Sequence, residues 1–190
     1  DESYFLYVGA LHPRKNIERL LLAFDRFKKV RECDMKLLLV GRKAWANQEV
    51  EATYEAMQFK DDVVFTGRVS DEDLVLIYGA ALSLVYVPYF EGFGMPIVEA
   101  QSCGVPVITS DKSSMPEVLG GAGLLVDPFD VESIADNMVL MFDDERLRYS
   151  CIQKGFENLH RFDWQVTTDK IFNLISCLLY TSDAADEEDS

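Results

Sequence analysis

Six short runs in this chain are apolar at nearly every position, not at every second one, and that limits the folds open to it. They are YFLYVGA (residues 4–10), MKLLLVG (35–41), DVVFTG (62–67), LSLVYV (82–87), VPVITS (105–110) and AGLLVDP (122–128). A strand written this way is buried on both faces, as in a parallel sheet covered by helices. The stretches between the runs have helical periodicity. NIERLLLAFDRFKKV (16–30) sets Ile17, Leu20, Leu21, Phe24 and Phe27 on one stripe, with Asn16 in the N-cap position. SDEDLVLIYGAA (70–81) opens on Ser70 with Asp73 three residues later, close to a capping box. MPIVEAQSCG (95–104) has Pro96 in its first turn and Gly104 at its end, and DVESIADNMVLMF begins on Asp130. NQEVEATYEAMQF (47–59), DERLRYSCIQKGFENL (144–159) and DWQVTTDKIFNLI (163–175) complete the helices, and SMPEVLGG (114–121) is a short helix or turn.

Strands alternating with helices imply the α/β class: a single Rossmann-like, doubly wound parallel sheet of about six strands with helices on both faces, in the order 3-2-1-4-5-6. The length of 190 residues suits one domain, expected over residues 1–176. Residues 177–190 are expected to be a disordered or artefactual acidic tail, because SDAADEEDS lacks apolar periodicity and CLLYTSDAADE resembles a translated adapter. The net charge is −15, and removing the tail's five acids leaves −10, which argues against nucleic acid and anionic membrane as bulk partners. Four cysteines lie far apart in sequence, so the expected compartment is reducing. No apolar run approaches about 20 residues and no basic segment precedes the first one, so neither a membrane span nor a signal peptide is expected.

The expected strand order locates a site before any motif is considered. Strands one and four are neighbours where the winding reverses, and ligands of such sheets sit at that point, outside the carboxyl ends of the strands. Two loops open there: GALHPRKN (9–16), with Gly9, Arg14 and Lys15, and PYFEGFG (88–94), with Glu91, Gly92, Phe93 and Gly94. Each leads into a helix start, where free N–H groups and the helix dipole favour an anion. Two helix starts and two cations suit a diphosphate. Glu91 and Glu99, with seven residues between them, add two carboxylates that can accept hydrogen bonds from vicinal hydroxyls. Taken together this describes a nucleotide-sugar site. Two histidines, His12 and His160, form no ligand cluster, so no metal and no cofactor are expected.

EGFGMPIVEAQSCGVPVITS closely resembles the Glu-x7-Glu segment of retaining glycosyltransferases of family four, which have the GT-B fold. YVGALHPRKNIERLLLAF, VVFTGRVSDEDL and LLVDPFDVESIADNM resemble further segments of that family in the same order, so the likeness runs from about residue 4 to 175. The resemblance implies the C-terminal, donor-binding half of a GT-B enzyme. It implies Lys15 on the donor diphosphate, Glu91 near the transferred sugar and Glu99 on the ribose hydroxyls. Phe93, Gly94 and Met95 are implied to offer backbone N–H groups, and the loop of Arg68 and Val69 to pack on the base. The catalytic residues it implies are Glu91 and Lys15. The family commonly has an arginine where this chain has Ala10; Arg14 is the candidate replacement.

The activity so implied is metal-independent transfer of a sugar from a UDP-, GDP- or ADP-linked donor to an acceptor hydroxyl with retention. The partners implied are the sugar-nucleotide donor and an N-terminal acceptor domain that this chain lacks, with no nucleic acid. The expected location is cytoplasmic, with peripheral membrane association of the full-length enzyme and a dimer through the C-terminal helix left open. The isolated half is expected to bind donor without transferring sugar efficiently. The alternative reading is a non-catalytic sugar-nucleotide-binding or interaction module. A receiver domain fits poorly, because strand one ends in GALHPRK and strand three in FTGR where acids would be required. A sugar-nucleotide epimerase of the same fold is a further alternative.

Overall fold

A computed structural model of the chain describes residues 3–42 and 48–186. Six parallel strands form one sheet: β1 (Tyr4–Val8), β2 (Lys36–Val40), β3 (Val63–Gly67), β4 (Ser83–Tyr86), β5 (Val107–Ser110) and β6 (Gly123–Val126). Their order is β3-β2-β1-β4-β5-β6, the doubly wound order expected from the alternation of elements. β1 and β4 meet at the centre through the pairs Phe5↔Ser83 and Leu6↔Leu84.

The helices are α1 (Ile17–Val30), α2 (Gln48–Ala56), α3 (Asp71–Ala80), α4 (Met95–Ser102), α5 (Met115–Leu119), α6 (Val131–Asp143), α7 (Glu145–Leu159) and α8 (Trp164–Asp186). They pack in two groups, α1 with α2 and α6, and α4 with α3, α5 and α7. Right-handed crossovers require such a division: chain leaving β1 toward β2 and chain leaving β4 toward β5 place their helices on opposite faces. The central strands are buried on both sides, with Phe5, Leu6, Tyr7, Leu84, Val85 and Tyr86 all at 0% exposure. The stripe of α1 read from its periodicity is the buried one, and Phe27 meets Phe5 edge-on at 5.1 Å.

Local signals act where they were read. Ser70 Oγ accepts from the Asp73 N–H at 3.1 Å, and Asp130 accepts from the N–H groups of Glu132 and Ser133. Gly104 follows α4 with φ +69°. Asn16 differs: it precedes α1 but its side chain makes no capping bond. α8 also differs, since its helical backbone continues past residue 177 to Asp186; residues 187–190 of the expected tail lie outside the described residues. Among the described residues no helix is long and apolar enough to cross a membrane.

Candidate functional site

The loops leaving β1 and β4 face each other and are bonded together. The Tyr89 N–H donates to Arg14 O at 3.0 Å. Asn16 Nδ2 donates to Val87 O at 3.0 Å, beyond β4, and to Pro128 O at 2.7 Å, beyond β6. Asn16 has a left-handed backbone at φ +61°, a conformation asparagine tolerates better than most residues. This is why it does not cap α1: the amide is turned toward the neighbouring strand ends.

Pro13–Lys15 form a single 3-10 turn ahead of α1, capped by His12 Nδ1, which accepts from the Arg14 N–H at 3.3 Å. That turn aims Lys15 across the gap. Its Nζ donates to Tyr86 Oη at 2.5 Å and to Glu91 Oε2, and Tyr86 Oη donates to the same carboxylate oxygen at 2.9 Å. The Arg14 guanidinium lies 3.9 Å from Glu91 Oε1. Burial acts to raise the Glu91 pKa, but the Lys15 and Tyr86 hydrogen bonds and the charge of Arg14 outweigh it, so the carboxyl sits below its usual range. Burial comes first for the Tyr86 phenol, then the Glu91 carboxylate, and both push it up. Tyr7 is raised for the same two reasons and stacks on Tyr86 with ring centroids 6.0 Å apart.

The β4 loop is fixed from its far side by the turn after β5. The Glu91 N–H donates to Ser113 Oγ at 3.2 Å, and Ser114 Oγ donates to Glu91 O at 2.8 Å. Ser113 itself is left-handed, at φ +50°. Gly94 then opens α4 at φ +95°, where an added Cβ would lie 2.7 Å from Met115 Cε. Gly92 has open space around it and no such constraint. Phe93 meets Phe162 edge-on at 5.6 Å; in the first turn of α4 the Ile97 N–H turns back to Gly94 O at 3.0 Å and Pro96 has no N–H, so Met95 supplies the N–H with no acceptor inside the helix. Glu99, one turn on, accepts from Tyr78 Oη of α3 at 2.8 Å. The two glutamates therefore have separate partners, Lys15 for one and Tyr78 for the other. Lys15 and Glu99 follow neighbouring strands at the sheet centre, not opposite edges.

A crevice of about 370 Å³ continues from the end of β1 across β2 and β3. Gly9, Ala10, Arg42, Arg68, Val69 and Asp71 line it. Gly9, Arg68 and Val69 thus lie on one crevice, together with Arg42, which was not anticipated. Gly41 (φ +148°) allows the close approach behind them, because a Cβ there would lie 1.9 Å from Gly9 O. Among the described residues no three His, Cys, Asp or Glu side chains are grouped to hold a metal ion.

Sequence reading missed Tyr86, Tyr78, Ser113 and Ser114 as parts of the site. One signal was present for Tyr86: a tyrosine in a strand buried throughout must find a partner for its hydroxyl, and Tyr86 ends such a strand.

Residues 1–158 match the family model described as glycosyl transferases group 1, and the chain belongs to that family. The O-antigen chain mannosyltransferase B of Escherichia coli is 36% identical over 177 residues, covering 93% of this chain and 46% of that protein. The solved sucrose-phosphate synthase of Thermosynechococcus elongatus superposes with a TM-score of 0.82 at 28% identity, covering 95% of this chain and 46% of that one. A separately crystallised C-terminal domain of a glycosyl transferase group 1 family protein from Francisella tularensis has a TM-score of 0.72 at 23% identity, covering 84% of this chain and 86% of that one, and shares the fold. The chain spans about half the length of the curated relative and of the full-length synthase, and its fold is that of the C-terminal half of a GT-B glycosyltransferase.

Proposed function

We propose that this domain binds the nucleoside diphosphate of a sugar donor between the β1 and β4 loops. With an N-terminal acceptor domain it then transfers the sugar to an acceptor hydroxyl, with retention and without a metal. The observation that carries the reading is the meeting of Lys15 and Glu91 across the switch point, beside the N-terminus of α4. In this reading Lys15, Arg14 and the amides of Phe93, Gly94 and Met95 take the diphosphate, so developing negative charge on the leaving group meets preorganised donors. Glu91 accepts from the sugar hydroxyls, Glu99 accepts from the ribose, and the base lies along Gly9, Arg68 and Val69.

The named mannosyltransferase among the relatives favours mannose as the sugar and GDP as its carrier, ahead of UDP- and ADP-linked donors. Such an enzyme would act in the cytoplasm on a glycan acceptor. The isolated domain lacks acceptor contacts, so it should not reach turnover of about 1 per second. The test is a thermal-shift series with GDP, UDP and ADP on the chain, on Lys15→Ala and on Glu99→Gln. A ligand at 100 times its Kd stabilises by about 2.7 kcal/mol, roughly 5–10 °C for a domain of this size. Both variants should lose most of the shift. Undiminished shifts in both would remove the site from this crevice.

A further inference from the structure

We propose that Tyr86 is a positioning residue for sugar transfer, its hydroxyl keeping the Glu91 carboxylate in place when Lys15 turns to the donor. The proposal rests on the donor-site reading and deepens it. Lys15 Nζ is in contact with both Tyr86 Oη and Glu91 Oε2. A diphosphate competes with that carboxylate for the ammonium, so an entering anion draws Lys15, and the nearby Arg14, away from Glu91. The remaining side-chain partner of Glu91 among the described residues is then Tyr86 Oη, at 2.9 Å.

The phenol is built for that task. Tyr86 ends β4 with no exposed surface. Its ring is stacked on Tyr7, and its carbonyl accepts from Thr109 Oγ1 at 2.6 Å. A ring so fixed cannot follow Lys15. One oxygen takes two roles: it accepts from the ammonium, so its only hydrogen points to Glu91. Burial and the neighbouring carboxylate keep that hydrogen in place across the working pH range. The backbone of Glu91 is held independently by Ser113 and Ser114, so the Tyr86 bond sets the direction of the side chain alone. The charged or titratable groups facing the carboxylate are Arg14 and Lys15 from the β1 loop, Tyr7 from β1 and Tyr86 from β4.

The experiment has two parts. In this chain, the Glu91 carboxyl is titrated by 13C NMR with and without GDP, in the wild type and in Tyr86→Phe. The variant should raise the Glu91 midpoint, and by more with GDP bound than without. In the full-length enzyme, Tyr86→Phe should lower kcat at least tenfold, with donor KM within threefold, and move the acid limb of the pH–rate profile upward. In a Glu91→Gln background the same substitution should cost little further. An unchanged Glu91 midpoint, or a loss of melting temperature with kcat and the acid limb unmoved, overturns the proposal. If Tyr86→Phe does not fold, site-specific fluorotyrosine at position 86 replaces it. A more acidic phenol donates more strongly and should lower the Glu91 midpoint, and no change overturns the proposal equally. The donor-site reading fails on a different result: GDP binding that Lys15→Ala leaves unaltered.

Discussion

Lys15 and Glu91 are paired with one another, so replacing either should change GDP binding in opposite directions. A charge-assisted hydrogen bond contributes about 1.5–3 kcal/mol net, and two unit charges about 4 Å apart near a protein surface interact by about 4 kcal/mol. Lys15→Ala removes the first and exposes the phosphates to the second, since Glu91 keeps only Tyr86 and an arginine at 3.9 Å. The expected loss is at least about 2.7 kcal/mol, a hundredfold in Kd. Glu91→Gln removes a carboxylate that competes for the ammonium and repels the phosphates, so GDP should bind about five- to tenfold more tightly. With GDP-mannose the gain should disappear, because the glutamine is a poorer acceptor for the sugar hydroxyls. The double variant should bind GDP better than Lys15→Ala alone. Titration calorimetry at about 0.15 M salt, where exposed charges beyond about 8 Å are screened, reads all four proteins. A Lys15→Ala affinity within twofold of wild type, or a Glu91→Gln loss equal to that of Lys15→Ala, would refute the competition between carboxylate and phosphate.

Gly41→Ala should cost at least about 2 kcal/mol and lower the melting temperature by roughly 4–8 °C, since its Cβ would meet backbone, Gly9 O at 1.9 Å, that cannot rotate away. Asn158→Ala should cost about 2–3 kcal/mol in urea denaturation, because Asn158 Nδ2 donates to Gln101 Oε1 and Val118 O in the buried seam of α4, α5 and α7. Burial acts to raise Asp62, but Lys28 and Lys36 hold its pKa below the ordinary value. Its stabilising effect is therefore present above about pH 4 and lost as pH falls through the lower folded value. Asp62→Asn should flatten the fall in urea midpoint below about pH 4.

The sheet was legible because each of its strands is apolar on both faces and each crossover carries a helical stripe, patterns that depend on neighbours in sequence. Strand order followed from those patterns and the handedness of crossovers. Lys15 and Glu91 were legible as members of loops that this order brings together. Their fixing was not: Tyr86 meets Lys15 across 71 positions and Ser113 meets Glu91 across 22, and no local periodicity records such pairs. Asn16 shows the limit of local rules. An asparagine before a helix is ordinarily a cap, but here the left-handed backbone turns its amide to Val87 and Pro128. The extent of α8 was hidden for a different reason: the stretch 165–177 is exposed throughout, so no buried stripe marks where it stops.

A crystal structure of the chain with GDP tests most directly whether the β1 and β4 loops form one diphosphate site. The account predicts the β-phosphate within hydrogen-bond distance, about 2.7–3.2 Å, of Lys15 Nζ and of the amides opening α4, with Glu91 still bonded to Tyr86. GDP bound away from this crevice, or Lys15 still engaged by Glu91 with the phosphates elsewhere, would contradict it.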